Sequence, residues 1–594
     1  MHDEFSALFR TGYDSFQHLI QQGVATDAHP AAVQVFLWLW VKLVGFDEFW
    51  VKLPFAAMGI ATVYLFYRIG KLWFNETAGL IAASWMASMQ FFVFYSQLAR
   101  PYAAGLFVLL WMVLLWTRII QKEKSYHWEW VLFSISIALT ALVHAFSTLA
   151  AGLIYITGLF LVANHKRIAY LSAGLLSLLL YAPYIPIFWQ QLNRGDIGGW
   201  LGQPQPSFLI EFMWYGFHFD SLYVVISIII ILLLISNNSL QNKRKNYFRF
   251  IAILWFTATY LIAYFYSIYR VPILQFSTLY FGFPFLLLAM ASFVREQRWP
   301  ANLLITSILL LSGLFGLIHK RAHYDMMYKQ GFDQIAIENA RAKSSYGNEL
   351  LMVTRSASPD MTAFYLEKED LTGVVLFSGQ EQYADLHTLL SDSSKYDYLA
   401  FSWTDYARLE WVEVARDHYP FTIDYHSWFN AEFYLLSKMP LEGVADRTGH
   451  EMIIINDSFS DGEVRFDSNR IYGPLLELPL DSIRNMNYHN VVFSALIAAH
   501  DTLDNVRLVF EIKDADNGEV IHWQAGELLT DNLLPGEKQR LISANRIPGL
   551  RLPKRPLLLR CYIWNPDGQV FSQLDHKLTV QKQSSRILGL FEPL

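Results

Sequence analysis

The chain has 594 residues, 54% of them hydrophobic, 16% aromatic and only 16% charged, where an ordinary soluble protein carries about a quarter charged residues. Charge is also unevenly placed: residues 1–319 hold 19 lysines and arginines against 13 acids, and residues 320–594 hold 27 against 39. These figures exclude a wholly soluble chain and a disordered one. The single cysteine, Cys561, excludes an internal disulfide framework, and the net charge of −6 argues against a nucleic-acid partner.

Residues 1–50 are acidic, with Asp3, Glu4, Asp14, Asp27, Asp47 and Glu48. Their apolar stretch Val33–Val41 is too short to cross a bilayer and reads as an interfacial helix in an outer-face catalytic loop. From 51 to 320, apolar runs near the roughly 20 residues that a span needs recur at 51–70, 77–99, 101–117, 128–145, 147–164, 168–190, 221–238, 250–269, 271–294 and 299–318. This predicts about ten spans, the fourth and fifth joined near His144.

Alternate loops are basic. Arg68 and Lys71, Arg118 with Lys122 and Lys124, Lys166 and Arg167, Lys243 to Arg249, and Arg295 with Arg298 hold 13 of the 19 cations. Cytoplasmic loops carry the Lys/Arg excess, so residues 1–50, the 190–220 loop and everything after His319 are expected outside. Ten spans then put both ends outside, and no apolar segment precedes His2 to carry the N-terminus across. An initial helix upstream of this sequence is the simplest resolution. The 190–220 loop, with Arg194, Asp196 and Trp200, has the length of a lid.

Beyond the last span, 346–440 alternates apolar strands (Leu350–Val353, Gly373–Phe377, Tyr398–Phe401, Phe433–Leu436) with helix-like stretches, the pattern of a small α/β domain. From 450 to 594, strands follow one another (Met452–Ile455, Val491–Ala498, Val506–Ile512, Leu557–Ile563). Asn517-Gly518 and Asp567-Gly568 supply turns, which predicts a β-sandwich. The fold class expected is a polytopic α-helical membrane protein with a C-terminal exported α/β domain and β-sandwich.

Polar residues near membrane depth are costly and default to functional candidates. They converge on the outer side: Asp3 and Glu4, Asp27 and His29, Lys52, Arg100 and Tyr102, His144, and Arg270. Carboxylates facing cations suit group transfer from a lipid phosphate. A carboxylate accepts the proton of an attacking hydroxyl, and arginine or lysine stabilises the departing phosphate. Each residue also has a plainer reading. Arg100, Lys52 and Arg270 can snorkel to the interface, His144 can bond between helices, and Asp27-Ala28-His29-Pro30 can be a helix-opening turn. His2, Asp3 and His29 fix no metal geometry, so no metal site is assigned.

The elements Asp3-Glu4-Phe5-Ser6-Ala7, Asp27-Ala28-His29-Pro30, Lys52-Leu53-Pro54 and Tyr95-Ser96-Gln97-Leu98-Ala99-Arg100-Pro101-Tyr102, in that order, resemble the GT-C membrane glycosyltransferases. The likeness is to the branch of protein O-mannosyltransferases and lipid A aminoarabinose transferases, including bacterial family 39-like members, over roughly 1–320. It implies an inverting transferase that moves a sugar from a polyprenyl-phosphate donor to a glycan, lipid or protein hydroxyl. The reaction would lie on the outer face of a bacterial inner membrane, without cofactor or catalytic metal. Asp3 is then the carboxylate base with Glu4 beside it, and Arg100 contacts the donor or orders the pocket. The chain departs from the pattern in lacking a helix before Asp3. It also has Lys52 where the family often has Arg, and Leu279-Tyr280 where it often has Arg-Tyr, with Arg270 as the nearby substitute. A flippase of lipid-linked glycans and a non-catalytic envelope scaffold are the competing readings. Neither internal repeats nor a midplane polar site favours the first, and the second leaves the outer-face cluster without a reason.

Overall fold

The computed structural model describes residues 2–193, 201–235, 241–328, 330–393, 395–405, 407–442, 451–458, 464–484, 490–547, 552–553 and 555–581; the side chains of 2–3, 192–193, 451–458 and 484 are outside that description. Two compact units divide the chain, one of Met1–Met327 and one running from Tyr328 to Leu590.

In the first unit, five helices among the described residues are long and apolar enough to cross a membrane: Glu48–Trp73, Pro101–Gln121, Asn164–Gln191, Lys243–Tyr269 and Trp299–Lys320. Two bent pairs raise the number to seven if each is one span. They are Glu76–Ser88 with Gln90–Ser96, bent by 65°, and Phe208–Gly216 with Ser221–Leu234, bent by 86°. His127–Val143 and Ala145–Leu161 are shorter apolar helices that meet at His144. The ten-span expectation needs correction at two places. The run 77–99 is broken at Met89, whose backbone is extended. The run 271–294 holds a non-helical stretch, a 3-10 turn Phe276–Phe281 and a nine-residue helix Phe283–Ala291. Nine residues rise only about 14 Å. Pro272, Gly282 and Pro284 explain why an apolar run of adequate length does not stay helical.

The helices pack where small residues let backbones meet. Helix Glu48–Trp73 lies against Glu76–Ser88 at Gly70 and Gly79, where a Cβ on Gly70 would stand 2.7 Å from the Gly79 Cα and one on Gly79 would stand 2.6 Å from the Tyr67 carbonyl oxygen. The basic loops are tied in as well. Lys166 is buried and its Nζ donates to the carbonyl of Ile119 at 2.9 Å and to that of Lys122. It thus satisfies carbonyls at the C-terminal end of Pro101–Gln121 that no further turn of helix would reach.

The second unit opens on a five-stranded sheet of β1 (Leu350–Ser356), β2 (Val374–Phe377), β3 (Tyr398–Thr404), β4 (Phe421–Trp428) and β5 (Ala431–Ser437), in the order β2-β1-β3-β5-β4. The first three strands run parallel and the last two are antiparallel additions. A sandwich follows, of β6 (Glu451–Ser458), β7 (Val464–Phe466), β8 (Leu476–Pro479), β9 (Asn490–Ala499), β10 (Arg507–Asp514), β11 (Val520–Gly526), β12 (Lys538–Arg546), β13 (Leu557–Trp564) and β14 (Phe571–Gln581). Its sheets are β11-β10-β13-β8 and β12-β9-β14-β6, with β7 paired to β14. Alternate residues such as Leu557, Leu559, Cys561 and Ile563 of β13 meet Val491, Phe493 and Ala495 of β9 in the core. Asn517-Gly518 closes the β10–β11 hairpin, with Gly518 at φ 73. Asp567-Gly568 instead carries the chain from one sheet to the other, since β13 and β14 do not pair. The chain is therefore a polytopic helical membrane protein followed by an α/β sheet and a β-sandwich.

Gly79→Ala is expected to destabilise the membrane unit by about 1–3 kcal/mol, the usual range for overpacking. Gly152→Ala, where a Cβ meets nothing within 4 Å, should leave stability unchanged or slightly raised. Thermal unfolding in detergent measures both.

Candidate functional site

Residues 2–50 are largely helical and sit on the ends of membrane helices. Helix His2–Leu8 is followed by a 3-10 turn Phe9–Gly12, and a second apolar helix runs over Ala31–Val44. Ala7, Val33, Leu37 and Val41 pack against Val51, Phe55, Ala99, Ala103 and Val143. Two side-chain bonds fix the register: the Gln34 amide donates to the Ala7 carbonyl at 2.9 Å, and the Trp38 indole donates to that of Tyr13 at 2.7 Å. The N-terminal helix is thereby held over the turn Gln97-Leu98-Ala99-Arg100 that precedes helix Pro101–Gln121.

Glu4, 2% exposed, joins these elements. Its carboxylate accepts the Ala99 N–H at 2.9 Å and lies 3.3 Å from the Lys52 Nζ at the start of the first span. A buried carboxylate is tolerated when it is paired and hydrogen-bonded, and Glu4 has both. Asp3 lies in the same helix; its side chain is outside the described residues. Asp27 forms an ion pair with Arg10 at 2.5 Å and accepts the Ala28 N–H at 2.8 Å.

A ring cluster lies beside these pairs. The His29 and His144 centroids are 5.0 Å apart, His29 stands edge-on to Tyr102 at 6.3 Å, and Tyr102 lies 5.4 Å from His144 and 4.3 Å from Tyr95. Phe281 closes the side of His144 at 4.8 Å. The Nδ1 of His144 accepts the Phe146 N–H at 3.1 Å, capping the helix that follows. The Gln191 amide donates to the carbonyls of Val24 and His29, at 3.0 and 3.2 Å, tying the 24–29 turn to the end of a span. Burial, and then the charges of Arg100 and Arg10, hold the His29 imidazole well below its ordinary 6.5, at about 3. It is neutral at physiological pH.

Arg100 differs from the other cations. It is 7% exposed, and among the described residues its guanidinium meets no carboxylate and its buried Nε has no hydrogen-bond partner. The acids that could have paired it are engaged elsewhere, Glu4 by Lys52 and Asp27 by Arg10. What remains is a buried positive group bordered by the neutral His29 imidazole, the His144 ring and tyrosine rings, an arrangement suited to an anion.

Of the sequence candidates, Glu4, Lys52, Asp27, His29, Arg100, Tyr102 and His144 come together around one turn. Arg270 does not. It is exposed at the end of helix Lys243–Tyr269, and its side chain makes no hydrogen bond or ion pair with the cluster. Trp200 falls outside the described residues. Sequence reasoning missed Arg10, which reads as a stray outer cation, the buried polar residues Gln90, His218, Arg321 and His323, and the half-buried Gln97. Their partners lie more than a hundred positions away, beyond the reach of any spacing rule.

Residues 28–187 match the family model of dolichyl-phosphate-mannose-protein mannosyltransferase, a stretch that includes His29, Lys52, Arg100, Tyr102 and His144. No curated protein matches the chain in sequence. Among solved structures, the apo form of ArnT from Cupriavidus metallidurans is similar with 9% identity and a TM-score of 0.44, over 74% of this chain and 94% of that one. The apo oligosaccharyltransferase of Archaeoglobus fulgidus has 10% identity and a TM-score of 0.30, covering 87% and 89%. The mycobacterial arabinofuranosyltransferase AftD has 10% identity and a TM-score of 0.35, covering 92% and 55%. The likeness expected from the motifs thus falls on the stretch 28–187 that the family model matches.

Depression of the His29 pKa sets a sign for stability against pH. Above about 6.5 residue 29 is neutral in folded and unfolded chains alike. As pH falls toward 3 the unfolded chain takes up a proton that the folded chain refuses, so stability present above 6.5 is lost. His29→Gln should therefore make the fall in Tm between pH 6.5 and 4.5 shallower than in the wild type, measured by thermal unfolding in one detergent across that range.

Proposed function

We propose that the chain is an inverting glycosyltransferase whose donor is a sugar linked to a polyprenyl phosphate, with Arg100 receiving the phosphate and Asp3 acting as general base. The observation that carries this reading is the buried Arg100 guanidinium without an acidic partner among the described residues. A cation in that state has a large unmet electrostatic demand, which the phosphate of a membrane-borne donor answers. Glu4 is already committed to Lys52 and the Ala99 N–H, so its role is to hold the helix that carries Asp3.

In the step proposed, the acceptor hydroxyl oxygen attacks the anomeric carbon as its proton passes to the Asp3 carboxylate. The bond between that carbon and the phosphate oxygen breaks with inversion. The polyprenyl phosphate departs with the electron pair and an added negative charge, which Arg100 stabilises. Neutral His29 borders this charge without adding to it, and Tyr102 and Tyr95 offer ring faces to the sugar. Acceptors compatible with such a step are hydroxyls of protein, lipid or glycan. The reading places the site on the outer face of a bacterial inner membrane, opposite the basic loops.

The test is transfer from a radiolabelled polyprenyl-phosphate sugar pool in proteoliposomes. Asp3→Asn should lower turnover by about 10²–10⁴-fold, the range for loss of a general base. Arg100→Gln should lower kcat/KM for the donor by about 10²–10³-fold, as for loss of a charge-stabilising group, while Arg270→Gln stays near wild type. Translocation of the donor without cleavage would overturn the transferase reading in favour of a carrier. Full activity of Asp3→Asn would remove Asp3 as base.

A further inference from the structure

The helix break at Met89 sits in a polar cluster that the chemistry above does not use. Breaking Glu76–Ser96 leaves the Gln90 N–H without a place in the helix ladder, and it donates to the His218 Nε2 at 2.9 Å. The Gln90 side chain is 0% exposed. Its Oε1 accepts from the Arg321 Nε at 2.6 Å, and its Nε2 lies 3.5 Å from the His323 Nδ1. The other nitrogen of His323, Nε2, donates to the Gln97 Oε1 at 3.0 Å. One tautomer of His323, with its proton on Nε2, satisfies both contacts.

Arg321 and His323 are both 0% exposed, on the stretch that follows the last span. The Arg321 guanidinium also lies over the rings of Phe219, at 4.9 Å, and Tyr215, at 5.7 Å, cation–π contacts that soften its burial. Two backbone features make room for the cluster. His218 and Phe219 take left-handed φ values of 64° and 53°, a conformation that non-glycine residues hold only when the surroundings enforce it. Position 316 is glycine, where a Cβ would come within 2.4 Å of the His218 Nδ1.

Two segments distant in sequence are therefore fastened to the two ends of the short helix Gln90–Ser96. Its first residue is held by Arg321 and His218, and the residue after it, Gln97, is held by His323. Two residues further along, the Ala99 N–H is bound by Glu4, and Arg100 follows. The Gln97–Arg100 turn is thus clamped from one side by the N-terminal helix and from the other by the exit of the last span.

We infer that Arg321 and His323 are positioning residues for the candidate site, holding the Gln90–Arg100 segment so that Arg100 meets the donor phosphate. The inference rests on the glycosyltransferase reading for its consequence in catalysis; the clamp on the turn itself does not. Neither residue touches the reacting atoms. Loss of the His323 bond removes one tie on the Gln97 side chain, and a displacement of about 1 Å at a binding group can cost on the order of 10²-fold in rate.

Two readouts on the full chain in proteoliposomes test this, with His323→Phe removing the bonds and His323→Gln keeping a donor and an acceptor on a side chain of moderate size. The first is hydrogen exchange at the amides of Leu98, Ala99 and Arg100, which should quicken by about tenfold or more in His323→Phe and return toward wild type in His323→Gln. The second is steady-state transfer. In His323→Phe, kcat/KM for the donor should fall by about tenfold or more with KM for the acceptor unchanged, and His323→Gln should recover most of the loss. Exchange at the three amides equal to wild type in His323→Phe, or a Gln variant as impaired as Phe, would overturn the inference. If the wild type transfers no sugar, the glycosyltransferase reading falls, and the exchange pattern alone decides whether His323 holds the turn. Arg321→Lys and Arg321→Met form an independent pair: retention of the slow exchange by Lys and its loss in Met supports the clamp, and wild-type exchange in both overturns the part assigned to Arg321.

Discussion

A helix broken in an apolar environment has to find partners for the backbone groups that the break sets free, because no water is at hand to take them. In this chain the Gln90 N–H is given to His218, and the Gln90 side chain engages Arg321 and lies beside His323. That local requirement has distant effects. It recruits a left-handed bend at His218 and Phe219, a glycine at 316 and a buried arginine just beyond the last span. It also directs the short helix Gln90–Ser96 so that the next turn, Gln97 to Arg100, lies under the N-terminal helix. An unbroken helix over 77–99 would give the Gln90 N–H an intrahelical acceptor and leave this cluster without its central residue.

Charge pairing does the rest. Four ionisable side chains around the turn cancel in two pairs, Glu4 with Lys52 and Asp27 with Arg10, and each pair also carries a structural duty. Glu4 fixes Ala99, and Asp27 shapes the turn before His29. Arg100 has no acidic partner among the described residues, and its charge adds to burial in lowering the proton affinity of His29. The neutral His29 imidazole follows first from burial and then from the nearby guanidinium, since a protonated ring there would be penalised by both desolvation and like charge. An anion bound at Arg100 would relax the like-charge part of that penalty, so anion binding there would be linked to protonation of His29.

Much of this was legible in the sequence, and what was hidden has a common physical origin. Apolar runs separated by basic loops gave the membrane unit, and the motif residues Glu4, His29, Lys52, Arg100 and Tyr102 lay on segments expected to face one side. The run 271–294 misled because hydropathy measures transfer of side chains and is silent about Pro272, Gly282 and Pro284, which interrupt the backbone. Arg270 misled because a cation at a span end reads alike whether it faces a site or open surroundings. Gln90 and Gln97 carry no charge and no pattern, and their partners His218, Arg321 and His323 lie far off in sequence, so only the folded chain brings them together. In the second unit, β4, β12 and β14 escaped notice because Asp424, Arg540 and Asp575 interrupt the apolar alternation by which strands are recognised. Two of those residues, Arg540 and Asp575, pair with each other across strands at 2.8 Å.

The second unit also shows why the α/β sheet and the sandwich do not behave as separate beads. Helix Leu409–His418 of the α/β part presents Trp411, Val412 and Val414, which share a core with Val492, Ile542 and Ala544 from the outer face of a sandwich sheet. Glu410, fully buried on the same helix, accepts from the Gln524 amide at 2.7 Å and from the Ala544 N–H at 3.3 Å, and pairs with Arg408 at 2.8 Å. A buried carboxylate satisfied from both sides of a boundary resists separation, since pulling the parts asunder leaves it with fewer partners than its charge requires. The alternation of β9 and β12 therefore serves two cores at once: Val491 and Phe493 face the sandwich interior, and Val492 between them faces the helix. A strand buried on both faces has no solvent side to carry charge, which is why β9 reads so plainly in the sequence.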